Sequence, residues 1–257
     1  MEQFVRITKK ALVYSSSHFG WWLLVLFQFA GFWLAGLGIK RIWHSPVYWL
    51  FIVLGLLLGA FFTTRLWLEI QAEYEHWAQN GRQLPGFFSV EFCWLALGMA
   101  GQMAAAGLLF WAVRTLWFHW AVRILFTSLC LVYFLGVQLF WVIFRQKLEN
   151  SMRLSGELWQ KRAQVPAASA LVLMLANGLA FSLARIGLSS LFSEGFSDFG
   201  SSAKLWLLAT LFLLLAVAIM VWLNNFLVIG FMEFVRTQKG KDRETVPGAA
   251  WLPAANK

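Results

Sequence analysis

The chain has 257 residues, 60% of them hydrophobic and only 13% charged, whereas soluble domains run at about 45–50% apolar and about 25% charged. Its mean hydropathy of +0.66 and its long uncharged runs make lipid the solvent for most of the chain. That composition excludes a disordered chain, a disulfide scaffold and an ordinary water-soluble enzyme.

Crossing a hydrocarbon core of about 30 Å takes about 20 apolar residues in a helix. The apolar runs here are continuous rather than alternating, so helices are expected and a β-barrel is not. Ahead of the first run, residues 3–18 mix Phe4, Ile7, Ala11 and Leu12 with Arg6, Lys9 and Lys10, which suits a helix lying in the membrane interface. Six spans follow: 21–39; 47–64, opened by Pro46; 92–113; 124–144; 167–183, after Pro166; and 205–231, long enough to tilt or project. No A-x-A site precedes Lys40, so the first run reads as a retained span and not a signal peptide. The expected fold class is all-α, a polytopic membrane protein: a six-transmembrane-helix bundle with amphipathic cytoplasmic connecting helices. One membrane domain covers 1–236, and a polar cytoplasmic tail covers 237–257.

Two connections are long enough to have structure. In 65–84, Trp67, Ile70, Tyr74 and Trp77 recur on one helical face, and Glu69, Glu73 and Glu75 make the other face acidic. Asn80-Gly81 and Pro85-Gly86 then turn the chain. In 145–162, Leu148, Met152 and Trp159 share a face on a segment made basic by Arg145, Lys147, Arg153, Lys161 and Arg162. An acidic and a basic helix on the same side of the membrane are candidates to pair.

Of the 21 Lys and Arg, 15 lie on the termini and even-numbered loops and 6 on the odd-numbered loops. The positive-inside rule places both termini in the cytoplasm of a multi-pass protein, read as residing in the bacterial inner (plasma) membrane. The +9 charge sits beside helix ends, where anionic lipid headgroups rather than nucleic acid are its partners.

Ionisable groups inside a span are functional flags, and no Asp, Glu, Lys or His lies near the middle of any run. The polar groups there are Gln28, Gln102, Gln138, Asn177, Asn224 and Asn225, suited to bonds between helices or to solute contact. Gly55-x-x-x-Gly59 and Gly101-x-x-x-Ala105 fit close helix packing. Cys93 and Cys130 read as free thiols within spans. The histidines (His18, His44, His76, His119) do not cluster with other ligands, so no metal is expected. The 16 Trp fit interfacial belts better than a pigment pocket, and no cofactor is expected. No catalytic motif is present, and the chain reads as no enzyme.

Phe87-Phe88-Ser89-Val90-Glu91-Phe92 looks like a shortened paired-Phe motif before a third span. Lys147-Leu148-Glu149-Asn150-Ser151-Met152 looks like a signature after a fourth, and Val221-Trp222-Leu223-Asn224-Asn225-Phe226 looks like a polar interruption late in a last span. On these stretches and its layout the chain resembles the YesL-like proteins (domain-of-unknown-function family 624), small bacterial membrane proteins of similar length. Glu91 stands where that family favours an amide. The resemblance implies a link with carbohydrate-uptake ABC systems and transfers no biochemical activity. Glu149-Asn150-Ser151, Gly156 and Pro166 also follow the order of the cytoplasmic loop of type I ABC import permeases. Their spacing departs from that loop: the Glu-to-Gly distance is one residue too long and the Gly-to-Pro distance too short.

The expected function is that of a non-catalytic integral subunit, an accessory or scaffold protein of a larger membrane complex, with membrane lipids and other membrane-protein subunits as partners. The docking residues are then Glu149, Met152, Arg153, Trp159, Lys161 and Arg162. The alternative is an ABC-importer-like permease or transport-associated component with 145–162 as coupling segment, its solute a carbohydrate as the family resemblance implies. That alternative predicts a polar passage near Gln102, Gln138, Asn177 and Asn224, whereas the scaffold reading predicts amides, Asn225 included, bonded to one another.

Overall fold

The computed structural model describes residues 2–41, 45–77, 79–115, 120–162 and 199–245, with positions 171–172, 175–176, 178–180, 182–184 and 186. These form α1 (Glu2–Ser17), α2 (Phe19–Arg41), α3 (Val47–Tyr74), α4 (Val90–Thr115), α5 (Trp120–Ile143), α6 (Leu148–Arg162) and α7 (Phe199–Thr245). The described positions between 171 and 186 are helical too, and no strand occurs among the described residues.

Among the described residues, four helices are long and apolar enough to cross a membrane: Phe19–Ile39, Val47–Tyr74, Val90–Leu109 and Trp206–Arg236. The six-span count expected from the sequence is not reached among the described residues. Of the expected run 124–144, the apolar helix that counts is Tyr133–Ile143, shorter than a span. The expected run 167–183 lies largely outside the described residues, although Ala176, Ala180 and Ala184 are buried against the core at one-turn spacing.

α2 and α3 form the tightest pair because glycines remove the side chains between them. A Cβ built on Gly31 would lie 2.5 Å from the backbone nitrogen of Gly59, and one on Gly55 would lie 2.9 Å from the Cα of Ala35. The Gly55-x-x-x-Gly59 motif therefore packs. Gly101-x-x-x-Ala105 does not pack inside this chain, since a Cβ at Gly101 meets open space.

α3 starts at Pro46, whose φ of −60° suits a helix start. Its end comes earlier than the glycine at Gly81. His76 adopts φ 52°, its N–H donates to the Glu73 carbonyl (3.1 Å) and the Trp77 N–H donates to the Ala72 carbonyl (2.9 Å). That is a Schellman closure, with histidine where glycine is usual. Trp67, Ile70, Tyr74 and Trp77 are all buried, as their shared face predicts.

α1 runs antiparallel along α7. Ile7 and Ala11 pack on Phe226, whereas Leu12 is 56% exposed. α7 itself continues as helix through Thr245, into the segment the sequence assigns to a polar tail. α6 folds back along α5. Its Ser155 hydroxyl donates to the Tyr133 carbonyl at 2.9 Å, and the Tyr133 hydroxyl donates to the Met152 carbonyl at 3.1 Å.

Candidate functional site

Polar side chains concentrate at one end of the bundle, where α1, the last turns of α3 and the distal part of α7 meet. Glu233 of α7 is the centre. It is only 9% exposed, and it accepts hydrogen bonds from the Tyr74 hydroxyl (2.5 Å), Lys10 Nζ (2.7 Å) and Arg6 Nη2 (3.4 Å). Arg6 and Lys10 stand four residues apart, so α1 offers both cations on one face. The hydrogen bond to Glu233 holds the Lys10 ammonium above the usual lysine value, against the lowering effect of its partial burial.

A second carboxylate sits beside the first. Glu75 accepts from Trp77 Nε1 at 2.9 Å and Gln71 Nε2 at 3.4 Å, and pairs with Arg236 at 3.6 Å. The Arg236 guanidinium also lies 5.0 Å from the centre of the Tyr74 ring, within cation–π range. Around this pair, Arg65 binds Glu69 at 2.7 Å and donates to the Pro85 carbonyl at 2.8 Å, while Arg145 pairs with Glu91. His18 Nε2 lies 3.7 Å from Glu73. Among the described residues, the acidic face of α3 thus pairs with Arg65 of its own helix and Arg236 of α7.

One layer further into the bundle, Asn224 and Asn225 tie helices together. Asn224 Oδ1 accepts from Trp67 Nε1 at 2.8 Å, and its Nδ2 donates to Gln28 Oε1 at 3.5 Å. Asn225 Nδ2 donates to the Ser15 hydroxyl oxygen at 3.3 Å. Gln102 and Gln138 are buried, and neither polar atom of Gln102 has a hydrogen-bond partner among the described residues. Asn177 lies outside the described residues.

The expected docking residues divide by face. Ser151, Leu154 and Ser155 of α6 are buried against the bundle, while Leu148 and Met152 are 45% and 46% exposed. Glu149 is exposed beside them, and Arg153, also exposed, pairs with Glu157 of its own helix at 3.8 Å. Trp159, Lys161 and Arg162 continue the helix, but their side chains lie outside the described residues.

Glu233 was missed in the sequence because it stands just beyond the expected span end at 231. A single carboxylate between Met232 and Phe234, opposite an Arg6/Lys10 pair at one-turn spacing, was the available signal. Chemically the arrangement fastens helices: two carboxylates, Glu233 and Glu75, and three cations, Arg6, Lys10 and Arg236, are held in mutual bonds. No group of three His, Cys, Asp or Glu able to hold a metal occurs among the described residues, and Cys93 and Cys130 are free and half-buried. Comparison with family models, curated proteins and solved structures found no match to this chain.

Proposed function

We propose that the chain is a non-catalytic integral subunit, an accessory or scaffold protein of a larger bacterial inner-membrane complex. The observation that carries this reading is α6. Ser155 fastens it to the α5 backbone at the Tyr133 carbonyl, and the opposite face presents Leu148, Glu149, Met152 and Arg153. A partner subunit with an apolar groove and an acidic rim is the natural occupant, and Trp159, Lys161 and Arg162 extend the same segment. The resemblance to YesL-like proteins accords with an accessory role beside an uptake system. Both termini are placed in the cytoplasm by the distribution of Lys and Arg, and either four or six crossings keep them on one side. Six remains the proposed number.

The test is purification in mild detergent followed by identification of the chains that come with it. Copurifying subunits that are lost when Trp159→Ala is combined with Arg153, Lys161 and Arg162→Gln support the docking role. A homogeneous particle of this chain alone, or copurification unaffected by those changes, refutes it. Reporter fusions at Lys257 and within 193–203 test the orientation; a periplasmic Lys257 overturns it. A second reading, a transport-associated component with 145–162 as coupling segment, draws on the unpartnered amide of Gln102. Solute uptake that depends on Gln102 and survives removal of partner subunits would favour it.

A further inference from the structure

Two adjacent phenylalanines lead into α4, and they part company. The Phe87 ring packs on the bundle, 5.9 Å from the rings of both Phe61 and Phe92. Phe88 is 89% exposed, and so is Val90 at 87%. Exposed positions then recur along α4 at Trp94, Leu97, Gly101 and Leu108, one outward face with the period of a helix. Glu91 stands off that face and pairs with Arg145.

Two helices fix the depth of this turn. The part of α4 that is apolar enough to cross a membrane is Val90–Leu109, 20 residues, or about 30 Å of helix. That is no more than the hydrocarbon core requires, so Val90 stands at its edge. α3 gives the same answer by contact. Arg65 Nη1 donates to the Pro85 carbonyl at 2.8 Å, and the guanidinium lies 4.2 Å from the centre of the Phe87 ring. From Val47 to Arg65 is about 27 Å of helix, which leaves the turn beside the last apolar stretch of α3 and not beyond it. The run read from the sequence begins only at Phe92 and would leave Phe88 in water.

The turn is also built for a medium without water, where unbonded peptide groups are costly. Pro85 has no N–H, and its carbonyl is taken by Arg65. The Ser89 N–H donates to the Gly86 carbonyl at 3.0 Å, and the Ser89 carbonyl accepts from the Cys93 N–H at 2.9 Å. The Ser89 hydroxyl accepts from the Phe92 N–H at 3.2 Å. The Arg65 side chain is only 13% exposed, and Glu69 neutralises it at 2.7 Å.

We infer that the turn from Phe87 to Val90 inserts into the lipid where α4 enters the membrane, with Phe88 and Val90 among the acyl chains and Arg65 as the positioning residue that holds the turn at that depth. Lipid is the occupant because the exposed turn continues, without a charge, into the outward face of a helix fit to span. The inference does not depend on the docking role of α6.

The test is spin labelling of the full-length chain in vesicles of phosphatidylcholine and phosphatidylglycerol. Phe88→Cys is made in a background carrying Cys93→Ala and Cys130→Ala. Power saturation compares the access of oxygen, which concentrates in lipid, with that of a water-soluble nickel chelate. Leu97→Cys on the outward face of α4 and Gln79→Cys in the exposed connection serve as lipid and water references. The expected result is that oxygen reaches position 88 at least twice as readily as the chelate, as at 97, with the order reversed at 79. Adding Arg65→Gln should bring position 88 toward the value at 79. Chelate access equal to or above that of oxygen puts the turn in water and overturns the inference. A label shielded from both reagents shows a second copy covering the turn and overturns it as well. If the cysteine-free background does not fold, p-benzoylphenylalanine at position 88 of the otherwise native chain replaces the label; a lipid adduct on irradiation is expected, and its absence overturns the inference.

Discussion

Replacing Glu233 with alanine should loosen α1 from the bundle by a calculable amount. The Tyr74 hydroxyl donates to a carboxylate that is only 9% exposed, and hydrogen bonds to charged groups contribute about 1.5–3 kcal/mol. The Lys10 and Arg6 side chains are 38% and 57% exposed, so their pairs count as surface pairs, worth up to about 1 kcal/mol and a few tenths respectively. Both cations can turn to water when Glu233 is gone, and no stranded charge is added. The sum for Glu233→Ala is about 3 kcal/mol, with Tyr74→Phe at about 2 kcal/mol and Arg6→Ala under about 0.5 kcal/mol. Unfolding in mild detergent, followed by near-ultraviolet circular dichroism, measures these differences, and a Lys10→Met/Glu233→Gln cycle isolates the pairwise coupling. If Glu233→Ala falls within about 0.5 kcal/mol of wild type, as an ordinary surface change does, the carboxylate is not the clasp described.

Other changes test other parts of the fold. Because the bond to Glu233 raises the Lys10 value above that of free lysine, 10.5, its contribution is fully present below 10.5 and is lost as pH rises through the higher folded value; the stability read by unfolding in detergent should therefore carry this contribution undiminished up to 10.5 and lose it only beyond, a loss that Lys10→Met should not show. His76→Gly should stabilise by about 0.5–1 kcal/mol, since glycine accepts the left-handed backbone at φ 52° without steric cost, whereas His76→Ala should bring no gain in the same unfolding assay. Gly31→Val should destabilise by about 1–3 kcal/mol or block folding, because the α2–α3 contact has no room for a side chain. Gly101→Ala should stay within about 0.5 kcal/mol of wild type, which size-exclusion chromatography and thermal unfolding will show.

The features carried by local pattern were legible in the sequence. The stripe Trp67, Ile70, Tyr74 and Trp77 is buried as its spacing implies, and Gly55 with Gly59 packs as small residues in apolar helices do. The stop of α3 was misjudged because a Schellman closure normally advertises itself by glycine, and here a histidine occupies the left-handed position. On α6 the exposed Leu148 and Met152 were visible from the sequence. The seat of that helix was not, since serine carries no apolar signal and Ser155 matters through its fit beside Gly136, where a Cβ would come within 2.5 Å of its Oγ. Lys10 and Glu233 could each be seen as a charge near a helix end. Their union joins residues 223 positions apart, a distance over which periodicity is silent.

That separation also sets an order of events during synthesis. The groove that seats Ile7 and Ala11 does not exist until Phe226 has been made, and the carboxylate for Lys10 comes seven residues later. At about 5–20 residues per second, α1 leaves the ribosome tens of seconds before its berth. Through that interval Arg6 and Lys10 lack the carboxylate that pairs with them in the folded chain. Only with Glu233 in place are Arg6 and Lys10 held, so a helix made well before α7 settles only after it.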